Sequence, residues 1–95
     1  MKIDKRIIHN DFPPYIIGEI SANHNGSIDN AKKIIMLAKK GGFDAVKLQT
    51  YTAETLTIAS DKEDFFIKSG LWAGKSLFSL YEEAHMPWEW QPELF

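Results

Sequence analysis

Two short runs, each apolar on both sides, bracket one helical stretch and limit what this chain can become. Tyr15-Ile16-Ile17-Gly18-Glu19-Ile20 and Phe43-Asp44-Ala45-Val46-Lys47-Leu48-Gln49 have the length and apolar content of strands. Strands apolar on both faces belong in parallel sheets covered on both sides. Between them Ser27 is placed to cap a helix whose Ala31, Ile34, Ile35 and Ala38 fall at helical spacing, and Gly41-Gly42 ends it. Strand, helix, strand in that order is a β-α-β unit, whose strands are parallel and whose crossover is right-handed. The expected fold class is α/β.

The flanks are less regular. Met1 to Asn10 reads as a polar lead-in with no signal-peptide apolar core, followed by the stiff Phe12-Pro13-Pro14. Thr50 to Ser60 is Thr-rich and lacks a period, which predicts a long loop after the second strand. Asp61 to Lys68 predicts a short helix. Lys75 to His85 predicts a better one, with Leu77, Leu80, Tyr81 and Ala84 repeating every three or four residues. Pro87 interrupts, and Trp88 to Phe95 reads as the start of another helix. A pair of parallel strands leaves two sheet edges and apolar faces that nothing in this chain can cover, so further chain or neighbours are expected to pack there. The chain alone is expected to be loosely structured or concentration-dependent.

Composition narrows the function classes. The 95 residues, 44% hydrophobic and 25% charged, suit one folded domain at most. The net charge of -2 is spread without a basic block, which argues against nucleic acid or an anionic membrane as partner. There is no cysteine, so disulfides and thiolate metal sites are excluded, and no run is long enough to span a membrane. A cytoplasmic protein is the expectation.

Strand parity sorts the polar residues. Ile17, Glu19 and Ser21 share one side of the first strand, and Ala45, Lys47 and Gln49 share one side of the second. Ile16, Gly18, Ile20, Val46 and Leu48 take the other side, where Ile34 and Ile35 of the helix would cover them. Glu19 and Lys47 therefore lie together near the C-terminal ends of neighbouring parallel strands, where barrel enzymes hold catalytic groups. The alternative is a buried ion pair without chemistry, which is a weak source of stability. The turn Ser21-Ala22-Asn23-His24-Asn25-Gly26 precedes a helix N-terminus and suits either an anion or an ordinary Asn-Gly turn. His9 and His85 are isolated, and no metal-ligand set is complete. Leu71, Trp72, Phe78, Tyr81, Trp88 and Trp90 suit packing in a core or between subunits better than sugar stacking.

With these residues in view, Ile16 to Gly26 and Asp44-Ala45-Val46-Lys47-Leu48-Gln49-Thr50-Tyr51 closely resemble the start of the sialic acid synthase family. The segments Ser60 to Phe65, Gly70-Leu71-Trp72 and Pro87-Trp88-Glu89-Trp90 look most like its pseudaminate-forming branch. The branches forming N-acetylneuraminate and legionaminate are alternatives, as are a non-catalytic sugar- or phosphate-binding module and an unrelated aldolase-type barrel using Lys47 as a Schiff base.

The resemblance implies a (β/α)₈ TIM barrel followed by a small antifreeze-like domain, acting as a homodimer that condenses phosphoenolpyruvate with an amino-sugar aldehyde. Residues 1–95 would be the N-terminal part of that barrel, about two β/α units, inactive alone. It implies a divalent metal, Mn²⁺ or Mg²⁺, whose histidine ligands would lie on later strands, so no metal ligand is expected here. It assigns Glu19 and Lys47 as catalytic and Gln49 as a sugar-contacting amide. Asn23 and His24 would bind substrate indirectly, by shaping the barrel mouth.

Overall fold

The computed structural model describes residues 1–95 as a mixed α/β chain built on two small sheets. The first sheet is an antiparallel hairpin of β1 (Lys2–Ile3) and β2 (Arg6–Ile7), closed by a turn in which Asp4 has φ of 49°. This hairpin corrects the polar lead-in expected from sequence. Its strands are only two residues long, too short for alternation to stand out.

The second sheet is the expected β-α-β unit. Strand β3 (Ile17–Glu19) leads through the turn to helix α1 (Ile28–Lys40), which returns the chain to β4 (Ala45–Lys47), parallel to β3. Ile17 stands opposite Ala45, Gly18 opposite Val46 and Glu19 opposite Lys47. Both strands are shorter than the apolar runs predict, although bonds from Asp44 and Ala45 amides to the Ile16 carbonyl extend the pairing at one end. Helix α1 starts where expected: Ser27 Oγ accepts from the Asn30 amide at 3.3 Å, a cap that contributes about 1 kcal/mol. Asp29 in its first turn and Lys39 and Lys40 in its last complement the helix dipole. Gly41 closes it, and Gly42 takes φ of 86°, a left-handed conformation in which a side chain is strained.

The hairpin is tied to the entry of the parallel unit through Asp44. Its carboxylate pairs with the Arg6 guanidinium and accepts from the Ile16 amide at 2.7 Å. Arg6 also donates to the Pro14 carbonyl and lies over the Tyr15 ring.

The second half of the chain is a chain of short helices. The Thr-rich stretch is not all loop: α2 (Ala53–Leu56) forms in it, with the Thr55 side chain bonded to the Thr52 backbone and Ala53 buried. A single 3₁₀ turn, Glu63–Phe65, stands where a short helix was predicted. Helix α3 (Leu77–Ala84), capped by Ser76, matches the stronger prediction, and after Pro87 a 3₁₀ turn (Trp88–Trp90) runs into α4 (Gln91–Leu94). No helix is long and apolar enough to cross a membrane.

The core is thin. Ile20, His24, Ala31, Ala53, Ala84 and Met86 are the buried residues, and the Cα radius of gyration is 16.6 Å, against about 12 Å for a compact domain of this length. The helix-facing side of the sheet is the better packed: Gly18, Ile20 and Val46 line a cleft of about 310 Å³ with Ile34, Leu37 and Phe43. Gly18 admits the Phe43 ring so closely that a Cβ there would lie 2.5 Å from Cδ2. Gly18→Ala is therefore expected to lower stability by about 1–3 kcal/mol through overpacking, read as a fall in thermal midpoint. An unchanged midpoint would show that Phe43 does not rest on Gly18.

Candidate active site

The parallel register decides which side chains meet. Glu19 and Lys47 are partners across the β3–β4 ladder, and because Gly18 and Val46 face α1, alternation turns Glu19 and Lys47 to the opposite face. Lys47 Nζ lies 3.6 Å from Glu19 Oε1, with side-chain exposures of 59% and 41%. In this chain the pair is half-exposed and loosely bonded. An exposed pair of this kind contributes about 0–1 kcal/mol. What it supplies is a carboxylate and an ammonium side by side on an open sheet face, each free to exchange its partner for a ligand.

The segments leaving the strands frame this pair. Ser21 has φ of 50°, so strand alternation ends just past Glu19 and Ser21 departs from the face that parity assigned to it. Asn23 is exposed in the following turn, and its backbone N–H donates to the Ile20 carbonyl. Gln49, two residues beyond Lys47, is exposed. Next to it the Tyr51 ring meets Tyr81 of α3 edge-to-face at 5.8 Å, and burial pushes the Tyr51 phenol above its ordinary value.

His24 sits elsewhere. It is fully buried, its Nδ1 accepts from the Gly26 amide at 3.0 Å, and the ring stands edge-on to Trp90 at 5.2 Å. The acceptor role at Nδ1 puts the proton of the neutral ring on Nε2, and Nε2 has no hydrogen-bond partner. In this position the ring supports the turn from beneath. His9 and His85 are bonded locally, to Asp11 and to the Glu82 carbonyl.

The donor set does not fit a divalent metal. No three of the His, Asp and Glu side chains converge at ligand spacing, and the Glu19 carboxylate faces an ammonium.

The aromatic residues divide. Trp90 and Tyr81 pack as expected, whereas Trp88 is 59% exposed, as is the aliphatic Leu71 at 91%. Two contributors had not been singled out in the sequence. Asp44 fixes the entry to β3, and Gln91 donates to Thr50 Oγ1 just past β4. Both contacts join residues at least 28 positions apart, a separation at which periodicity carries no signal.

Comparison with known proteins gives the family. The family model described as "NeuB family" matches residues 34–95. The chain belongs to the NeuB family. It is 56% identical over 81 residues to the pseudaminic acid synthase of Campylobacter jejuni, and 45% identical over 83 residues to that of Helicobacter pylori. These alignments cover 85% and 87% of the chain and 24% of each relative, so this NeuB-family chain spans about a quarter of their length. A shorter match, 50% over 42 residues, joins it to the N,N'-diacetyllegionaminic acid synthase of Legionella pneumophila, covering 44% of the chain and 12% of that protein.

The buried histidine gives the NeuB-family chain a testable pH response. Desolvation holds His24 below its ordinary 6.5, helped by His85 nearby and partly opposed by the Ala84 carbonyl. The unfolded chain then takes up a proton at higher pH than the folded one, so stability is full above about 6.5 and falls as pH drops from there toward the folded value. Thermal midpoints measured from pH 8 to pH 5 should be level at first and decline below about 6.5. His24→Phe should remove that part of the decline; identical slopes in the two proteins would exclude His24 as its source.

Proposed function

We propose that the protein carrying this chain condenses phosphoenolpyruvate with 2,4-diacetamido-2,4,6-trideoxy-altrose to give pseudaminic acid and phosphate. The observation that carries the proposal is the Glu19–Lys47 pair, matched in register at the C-terminal ends of parallel strands, where (β/α)₈ barrels hold their catalytic groups. The names of the Campylobacter and Helicobacter relatives support the choice of reaction. On this proposal β3-α1-β4 opens a TIM barrel whose later strands enclose the exposed face. A cytoplasmic homodimer with a C-terminal antifreeze-like domain, and a divalent metal held by later strands, belong to the same proposal.

The chemistry joins C3 of phosphoenolpyruvate to the aldehyde carbon of the sugar, whose oxygen gains a proton to become a hydroxyl. Water adds at C2, losing a proton, and phosphate leaves as the C2–O bond breaks. Lys47 supplies a fixed positive charge for the trianionic substrate, which counts for more once water is excluded. Glu19, released from Lys47 as the substrate anion takes its place, is positioned to accept the proton of the attacking water. The Gln49 amide would bond the sugar, and Asn23 would shape the mouth with His24 supporting it from below.

Phosphate release by the full-length protein, offered each amino sugar in turn, tests the proposal. A preference for the legionaminate or N-acetylneuraminate precursor would move the reading to those synthases, the first of which is represented by the shorter Legionella match. Glu19→Gln and Lys47→Met should each lower kcat/KM by about 10²–10³-fold, while thermal midpoints hold, since the exposed pair carries about 0–1 kcal/mol. Loss of less than about tenfold in both would remove them from the chemistry.

A further inference from the structure

Beyond the ladder, the segment that carries Gln49 has almost nothing of its own to hold it. From Leu48 to Tyr51 no backbone group bonds to another backbone group, and the last bond between the strands runs from the Ile20 amide to the Lys47 carbonyl. The segment is held by side chains. Tyr51 rests against Tyr81, and Thr50 Oγ1 accepts from Gln91 Nε2 at 2.5 Å in a partly buried contact.

Gln91 is itself fixed from both sides. Trp90 before it packs edge-on against buried His24, in the turn after β3. Glu93 after it pairs with Lys32 of α1 at 2.6 Å. Residues 90, 91 and 93 thus connect α4 to the turn after β3, to the segment after β4 and to the helix between them.

We propose that Gln91 is a positioning residue for the sugar-binding amide of Gln49, acting through Thr50. The inference rests on the role given to Gln49 above. Without the Gln91 contact Thr50 has no hydrogen bond, and the stretch carrying Gln49 is anchored beyond the ladder only at Tyr51. Lys47 is spared, because its backbone is bonded into the ladder. The consequence is selective: sugar binding weakens and phosphoenolpyruvate binding does not.

Steady-state kinetics of the full-length protein with Gln91→Leu and Thr50→Val tests this. Each should raise KM for the sugar on the order of tenfold and leave KM for phosphoenolpyruvate and the thermal midpoint unchanged. The double variant should be no worse than either single one, because both remove the same bond. Gln91→Glu, whose carboxylate accepts the Thr50 hydroxyl proton, should restore sugar KM. A fall in kcat with both KM values unchanged, or additive effects of the two substitutions, would overturn the inference. If the wild-type protein turns over none of the sugars, the functional reading fails, and positioning is judged separately by NMR relaxation of the Thr50 methyl group. Gln91→Leu should mobilise that methyl, and an equally ordered methyl in the variant would end the proposal.

Discussion

The ladder between β3 and β4 sets everything that follows in this molecule. Side chains on neighbouring parallel strands point the same way only when their residues are in register, and a slip of one position would send Lys47 beneath α1 while Glu19 stayed on the open face. The observed register puts Gly18 beside Val46 under the helix and Glu19 beside Lys47 away from it. The crossover helix is what makes the slip costly, since Val46 would be replaced against Ile34 and Leu37 by a charged residue. The pairing of two charges on one face is therefore a product of apolar packing on the other.

That dependence explains why the unit was legible from sequence and much of the rest was not. Ser27, Gly41-Gly42 and the apolar stripe of α1 are local signals: Ser27 caps the helix, Gly41 closes it, Ala31 is buried, and Ile34 and Ala38 line the cleft against the sheet. Glu19 and Lys47 follow from parity once the strands are recognised. The β1–β2 hairpin is held by Arg6 reaching Asp44, a contact across 38 positions, and α2 is held by burial of Ala53 and by Thr55 bonding the Thr52 backbone. Neither leaves a periodic trace. The burial of His24 is likewise set by Trp90, far away in sequence.

A polar ring with an unbonded Nε2 in a core of so few residues is a cost that the fold carries. It is offset locally, because Nδ1 satisfies the Gly26 amide and the His24 carbonyl accepts from Ser27 and Asn30. These bonds fix the passage from β3 into α1 and so the height at which Glu19 leaves the sheet. The family match over residues 34–95 takes in β4 with Lys47 and leaves β3 with Glu19 outside it.

The central claim is that this face receives an anionic substrate at Lys47, and a crystal structure of the full-length protein with phosphoenolpyruvate bound measures it directly. The account predicts Lys47 Nζ within about 2.7–3.2 Å of a phosphate or carboxylate oxygen of that ligand, with Glu19 turned to the reacting carbons. Phosphoenolpyruvate held elsewhere, with the Glu19–Lys47 pair intact and untouched, would contradict it.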